Sequence, residues 1–193
     1  MASKAGSRAL GIAASDAADR SQLCGAVVRA DRVVDDVVFA SCTTGGSDAT
    51  AAYCRLWDRL DRPDIQWLLL AGVAPAWFNL VDLDTLADHA DRPVIAVAFE
   101  DSDGLAAPLR EQFDGDELDR LLDIYRRLPP RTRVAAGDDA VFVRAVGIDT
   151  DAAAAVVRAF TPEGSGRPEP LRVARLAARA GREWLANPET TEG

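Results

Sequence analysis

With 193 residues, 48% hydrophobic and 27% charged, the chain has the balance of a globular domain and no apolar run long enough to cross a bilayer. Asp and Glu total 31 against 22 Lys and Arg, a net charge of −9, and Lys4 is the only lysine. Three cysteines, Cys24, Cys42 and Cys54, without metal-ligand spacing, and one histidine, His89, exclude a zinc site and a disulfide framework.

Residues 1–7 are small and polar, and the fold is expected to start at Arg8. Three runs rich in β-branched and small apolar residues, Arg8 to Ala13, Leu23 to Arg29 and Val33 to Cys42, predict an antiparallel meander, with a tight hairpin at Ala30-Asp31-Arg32. Tyr53, Leu56, Trp57 and Leu60 recur at helical spacing, predicting a helix over Ala49 to Leu60 with Ser47 or Asp48 as its cap. The apolar run that opens at Gln66 and is bounded by Gly72 and Pro75 predicts a central strand buried on both faces. A helix from about Asp82 to Ala90 and a strand over Pro93 to Phe99 follow, and strands separated by helices imply parallel crossovers. Leu105 to Arg127 reads as one or two helices divided near Asp114-Gly115, then a turn at Gly137-Asp138-Asp139 and a short strand over Ala140 to Ala145. A helix to Phe160 and an amphipathic helix over Glu169 to Leu185 close a single domain spanning residues 8–185.

The predicted order β-β-β-α-β-α-β, a mixed α/β sheet with additional C-terminal helices, is that of the ribonuclease H-like nucleases. Five stretches make the likeness more specific: Arg-Ala-Leu-Gly-Ile at 8–12, Thr-Gly-Gly-Ser-Asp-Ala-Thr at 44–50, Trp-Phe-Asn-Leu-Val-Asp-Leu at 77–83, Arg-Pro-Val-Ile-Ala-Val at 92–97 and Pro-Glu-Pro-Leu-Arg-Val-Ala-Arg-Leu at 168–176. Together they resemble the archaeal endonuclease dU family, which is similar to endonuclease V. The resemblance implies a DNA repair nuclease that hydrolyses a phosphodiester beside a deaminated base, deoxyuridine first, with Mg²⁺ (or Mn²⁺) held by converging carboxylates. DNA containing deaminated bases is the implied partner.

Members related to endonuclease V place an acid at the end of the first strand and another just before the glycine that ends the fourth. Here those positions are Ala13-Ala14 and Ala71. A metal site would have to be assembled from Asp48 and Glu100, with Asp16 or Asp82 completing the shell or positioning water. Each has a competing role: Asp48 and Asp82 stand where helices begin and suit capping, while Asp16 and Glu100 suit a solvated surface. Trp77, Phe78 and Asn79, at the end of the central strand, would form a wall and amide edge for an extruded base, or would cap the core. Gly45-Gly46 could bring backbone N–H groups to a phosphate or simply make a turn. Arg172, Arg175 and Arg179 recur along the last helix and could face a phosphate backbone or form surface ion pairs. Two other readings stand beside the nuclease: a binding module that has lost its metal, and an interaction protein forming a homodimer through the last helix.

The acidic coat, with arginine in place of lysine, is the pattern that keeps a protein soluble in a salt-rich cytoplasm, so a halophilic archaeal source is expected. Strong salt screens the attraction between basic residues and phosphates, so the negative total does not decide for or against nucleic acid. The start of the chain lacks an export signal, and a cytoplasmic protein away from membranes is expected.

Overall fold

The computed structural model describes residues 4–187. Strands β1 (Arg8–Ser15), β2 (Arg20–Arg29) and β3 (Val34–Thr43) pair antiparallel in the expected meander. The hairpin between β2 and β3 closes with Arg32 in the left-handed region at φ 75°, and Arg29 N–H donates to the Val33 carbonyl at 2.9 Å. Helix α1 (Ala49–Leu60) leads into β4 (Ile65–Ala71), which runs parallel to β1. A single strained turn, α2 (Pro75–Phe78), and helix α3 (Leu83–Ala90) then return the chain to β5 (Val94–Ala98), parallel to β4. Both parallel crossovers expected from the strand–helix alternation are present.

Helices α4 (Ala106–Gln112) and α5 (Gly115–Arg127) break where Asp114-Gly115 predicts. Strands β6 (Thr132–Ala136) and β7 (Asp139–Val146) form a hairpin, with β7 antiparallel to β5, before α6 (Thr150–Phe160) and α7 (Glu169–Ala186). The seven strands lie in the order β3-β2-β1-β4-β5-β7-β6. The sequence pattern shows only one strand in the last hairpin. The other, β6, is a short edge strand that buries Val134 and Ala136 while Arg133 and Ala135 face outward, too brief an alternation to stand out after Pro129-Pro130.

Period-two alternation sends each central strand to two cores. Leu10, Ile12, Leu68, Leu70, Val94 and Ala96 pack with α1 and α3 on one face. Ala9, Leu69, Ile95 and Val97 pack with Val157, Phe160 and Leu171 of α6 and α7 on the other. Helix α7 crosses β1 so closely that a Cβ on Gly11 would stand 2.3 Å from the Pro170 backbone. Glycine at position 11 is therefore what lets the last helix seat on the sheet.

Candidate nucleic-acid interface

The parallel strands β4 and β5 end side by side, and beyond their C-terminal ends lies a cleft of about 500 Å³. Its floor is Ala71 to Ala74 and Ala98 to Glu100, and its wall includes Leu105, Tyr125 and Phe142. This is where ligands sit in open α/β sheets, because the helices that follow the strands leave a crevice there.

Four arginines line the cleft: Arg131, Arg144, Arg167 and Arg175. Phe142 and Arg144 share one face of β7, opposite the buried Val141 and Val143, so strand alternation alone aims both side chains to the same side. Three aromatic rings fix the guanidinium groups: Arg131 lies 4.4 Å from the centroid of Phe142, Arg144 5.4 Å from Tyr125 and Arg167 3.8 Å from Phe99. Arg131 also donates to the Glu100 carbonyl at 2.8 Å and to Ser102, tying down the loop after β5. Arg144 donates to the Pro129 carbonyl and, at 3.3 Å, to the Tyr125 hydroxyl. Burial lowers the pKa of the Arg144 guanidinium from its ordinary value, and the like charge of Arg131 acts in the same direction. Arg167 is lowered too, by burial and then by the charge of Arg175. Among the described residues none of the four forms an ion pair.

The sequence pattern singles out Arg175 alone of these four. Arg144 carries the one signal that could have revealed another, a cation in the middle of an otherwise apolar strand, Val-Phe-Val-Arg-Ala-Val. Arg131 and Arg167 come from loops beside prolines, and only the fold brings them to the same cleft.

Each of the four carboxylates considered as metal ligands has its own partners or faces solvent, although Asp16 and Asp48 lie near enough to the Cys42 thiol for both to raise its pKa, after burial. Asp48 accepts from Thr43 N–H at 3.0 Å, from the Thr43 hydroxyl at 3.1 Å and from Asn79 Nδ2 at 2.8 Å. Burial opposes its ionisation, but these donors outweigh it and hold its pKa below the ordinary carboxylate value. Asp48 makes no side-chain cap to α1; Asn79 Oδ1 accepts from Ala49 N–H at 2.9 Å instead. Asp82 does cap its helix, accepting from Thr85 N–H at 3.2 Å, and pairs with Arg127 at 2.9 Å. Asp16 accepts from the Ser21 hydroxyl at 2.7 Å and is exposed. Glu100 lines the arginine cleft, exposed. Among the described residues no three of His, Cys, Asp and Glu gather where a metal ion could be held.

Ala13 and Ala71 share a cluster of small apolar side chains with Ala26, Val28 and Ala174. A carboxylate pair there would compete with that packing, and the cleft beside it sets four guanidinium groups against the single carboxylate of Glu100. The donor set does not fit Mg²⁺, which demands several oxygen ligands in near-octahedral array.

The aromatic stretch after β4 is held in an unusual conformation. Ala76, Trp77 and Phe78 all lie in the left-handed region, at φ 54°, 51° and 60°. Such strain is costly for residues with a Cβ and needs surrounding bonds to enforce it. Gly45 N–H donates to the Ala76 carbonyl at 2.8 Å, and a Cβ on Gly45 would stand 2.8 Å from the Trp77 ring. Gly46 N–H donates to the Thr43 carbonyl at 3.1 Å. Both glycine N–H groups are thus engaged within the chain. Asn79 is fully buried, donating to the Thr43 carbonyl and to Asp48, both at 2.8 Å.

The turn presents Trp77, 51% exposed, in an aromatic trio with Phe78 and Phe113 whose ring centroids are 5.4–5.7 Å apart. The trio joins the cleft through Ala74, Leu105 and Tyr125, which touch the same apolar cluster. On α7, Arg172 pairs with Glu169 at 2.6 Å, so only Arg175 of the two faces the cleft.

A seven-stranded mixed sheet with this order and these crossovers is a ribonuclease H-like fold, and known structures bear this out. The Ciona intestinalis endonuclease V bound to inosine-containing DNA matches with a TM-score of 0.64 at 14% identity, over 93% of this chain and 87% of that one. A protein of unknown function from Archaeoglobus fulgidus matches with a TM-score of 0.77 at 23% identity, over 90% and 96%. The family model named Endonuclease dU matches residues 5–181, and the chain belongs to that family. A Pyrobaculum calidifontis UPF0215 protein is 33% identical over 168 residues, 86% of this chain and 91% of that protein. A UPF0215 protein of Thermococcus gammatolerans is 33% identical over 163 residues, 83% and 81% respectively.

Proposed function

We propose that this chain is a nucleic-acid-binding member of the endonuclease dU family that holds DNA carrying deaminated bases, uracil first, without a metal-assisted cut. The cleft at the ends of β4 and β5 would take the phosphate backbone, and the exposed Trp77 with Phe78 would offer the face for an unstacked base. The observation that carries this reading lies at the strand ends: alanines 13 and 71 packed among small apolar side chains, and four guanidinium groups lining the cleft beside them. Family membership supports nucleic acid as the ligand, and the Ciona protein's bound inosine-containing DNA supports a deaminated base.

Glu100 favours a second reading, metal-assisted hydrolysis, because among the described residues it is the one carboxylate lining the cleft. Both are tested together by incubating the protein, in graded potassium chloride, with uracil-containing and unmodified duplexes, with Mg²⁺, Mn²⁺ or chelator. Uracil-selective binding that chelator leaves intact, with no nicking, is the expected result. Nicking that needs the metal and disappears in Glu100→Gln would replace the binding reading with the hydrolytic one. A cytoplasmic DNA repair role goes with either reading, and the exposed Leu176, Trp184 and Leu185 on α7 support association as a homodimer.

A further inference from the structure

We propose that the arginine cleft is a binding site for a phosphomonoester dianion carried by a nucleoside, either a free mononucleotide or the phosphorylated end of a strand. This goes beyond the reading of the chain as a binder of internal uracil.

Charge is the first reason. Four guanidinium groups face one exposed carboxylate, Glu100, inside a protein of net charge −9. Two like-charged pairs, Arg131 with Arg144 and Arg175 with Arg167, lie near enough to act on each other's charge, at a cost that the burial of Arg144 and Arg167 raises. A structural role would be served by pairing these arginines with some of the abundant carboxylates, as Arg8, Arg62 and Arg127 are paired. An internal phosphodiester brings a single negative charge, whereas a terminal phosphate brings close to two and three oxygens for guanidinium forks.

Geometry is the second reason. The aromatic faces of Phe142, Tyr125 and Phe99 hold three of the guanidinium groups in place before any ligand arrives, which removes much of the entropic cost of ordering long side chains. Arg131 and Arg144 are partly committed to carbonyls, but the side chains of Arg167 and Arg175 have no hydrogen-bond partner among the described residues. Those two are the donors left for a ligand. At about 500 Å³ the cleft has the size of a small-molecule site, with room for a single nucleotide.

The test is titration calorimetry with deoxyuridine 5′-monophosphate against deoxyuridine, and polarisation with labelled single strands ending in 5′-phosphate, 3′-phosphate or hydroxyl groups. The potassium chloride used is the lowest that keeps the chain folded by circular dichroism. At least tenfold tighter binding of the phosphorylated member of a pair is expected; the monophosphate arm identifies a free nucleotide and the strand arm a phosphorylated end. Arg167→Met and Arg175→Met should each weaken that preference at least tenfold, while Arg179→Met, which removes a pair with Glu183 elsewhere on α7, should leave it unchanged. Equal affinity for phosphorylated and unphosphorylated partners of the wild-type chain would overturn the proposal, as would full affinity in the Arg167→Met, Arg175→Met double variant. Uracil duplexes with hydroxyl ends report separately on internal-lesion binding, so either idea can fail while the other stands.

Discussion

Asn79 is predicted to be a structural clasp rather than a base-reading amide, and Asn79→Ala separates the two roles. The side chain is fully buried and makes three bonds, to Ala49 N–H at 2.9 Å, to the Thr43 carbonyl at 2.8 Å and to the Asp48 carboxylate at 2.8 Å. A bond to a charged group contributes about 1.5–3 kcal/mol and each neutral one about 1 kcal/mol, so truncation removes about 3.5–5 kcal/mol. Water entering the hole recovers part of this, and a net loss of about 3 kcal/mol is expected. For a chain of this size that lowers the melting temperature by roughly 6–12 °C. Guanidinium unfolding at constant potassium chloride, followed by tryptophan fluorescence, measures the loss directly. Below the variant's own transition, preference for uracil over unmodified DNA should persist. A loss under about 1 kcal/mol together with disappearance of that preference would refute the clasp and return Asn79 to the base.

Gly11→Ala places a Cβ 2.3 Å from the Pro170 backbone, a clash that no side-chain rotation relieves. It should cost at least about 1–3 kcal/mol and loosen α7 from β1, seen as faster amide exchange in both elements. Stability should also fall in acid. Burial works against the ionised forms of Asp48 and Asp82, but Thr43 and Asn79 for the first, and Thr85 and Arg127 for the second, bring both below the ordinary carboxylate value. A carboxylate depressed in the folded state contributes stability that is present above its unfolded pKa, about 3.9, and is lost as pH falls through the folded pKa. Unfolding midpoints should therefore be flat from these groups between about pH 5 and 8 and drop below about pH 4, less steeply in Asp48→Asn.

Much of the architecture was legible in the chain. The meander, the parallel crossovers and the break at Asp114-Gly115 follow from apolar periodicity and from glycine and proline, which act within a few residues. Strand β6 was not, because an edge strand that buries two side chains leaves no pattern long enough to recognise. The likeness to the endonuclease dU family was likewise readable, and so were the alanines at 13 and 71.

What the linear text could not decide is which charges meet. Asp48 reads as a cap, yet the amide of Asn79, 31 residues on, takes over that task and leaves Asp48 to hold Thr43. Arg131, Arg144, Arg167 and Arg175 come from a loop, a strand, another loop and a helix, and no spacing in the sequence links them. Secondary structure is set by short-range preferences that repeat along the chain. A site is set by where separate elements end, and that depends on sheet order and on the seating of α7 over Gly11, which are properties of the folded whole.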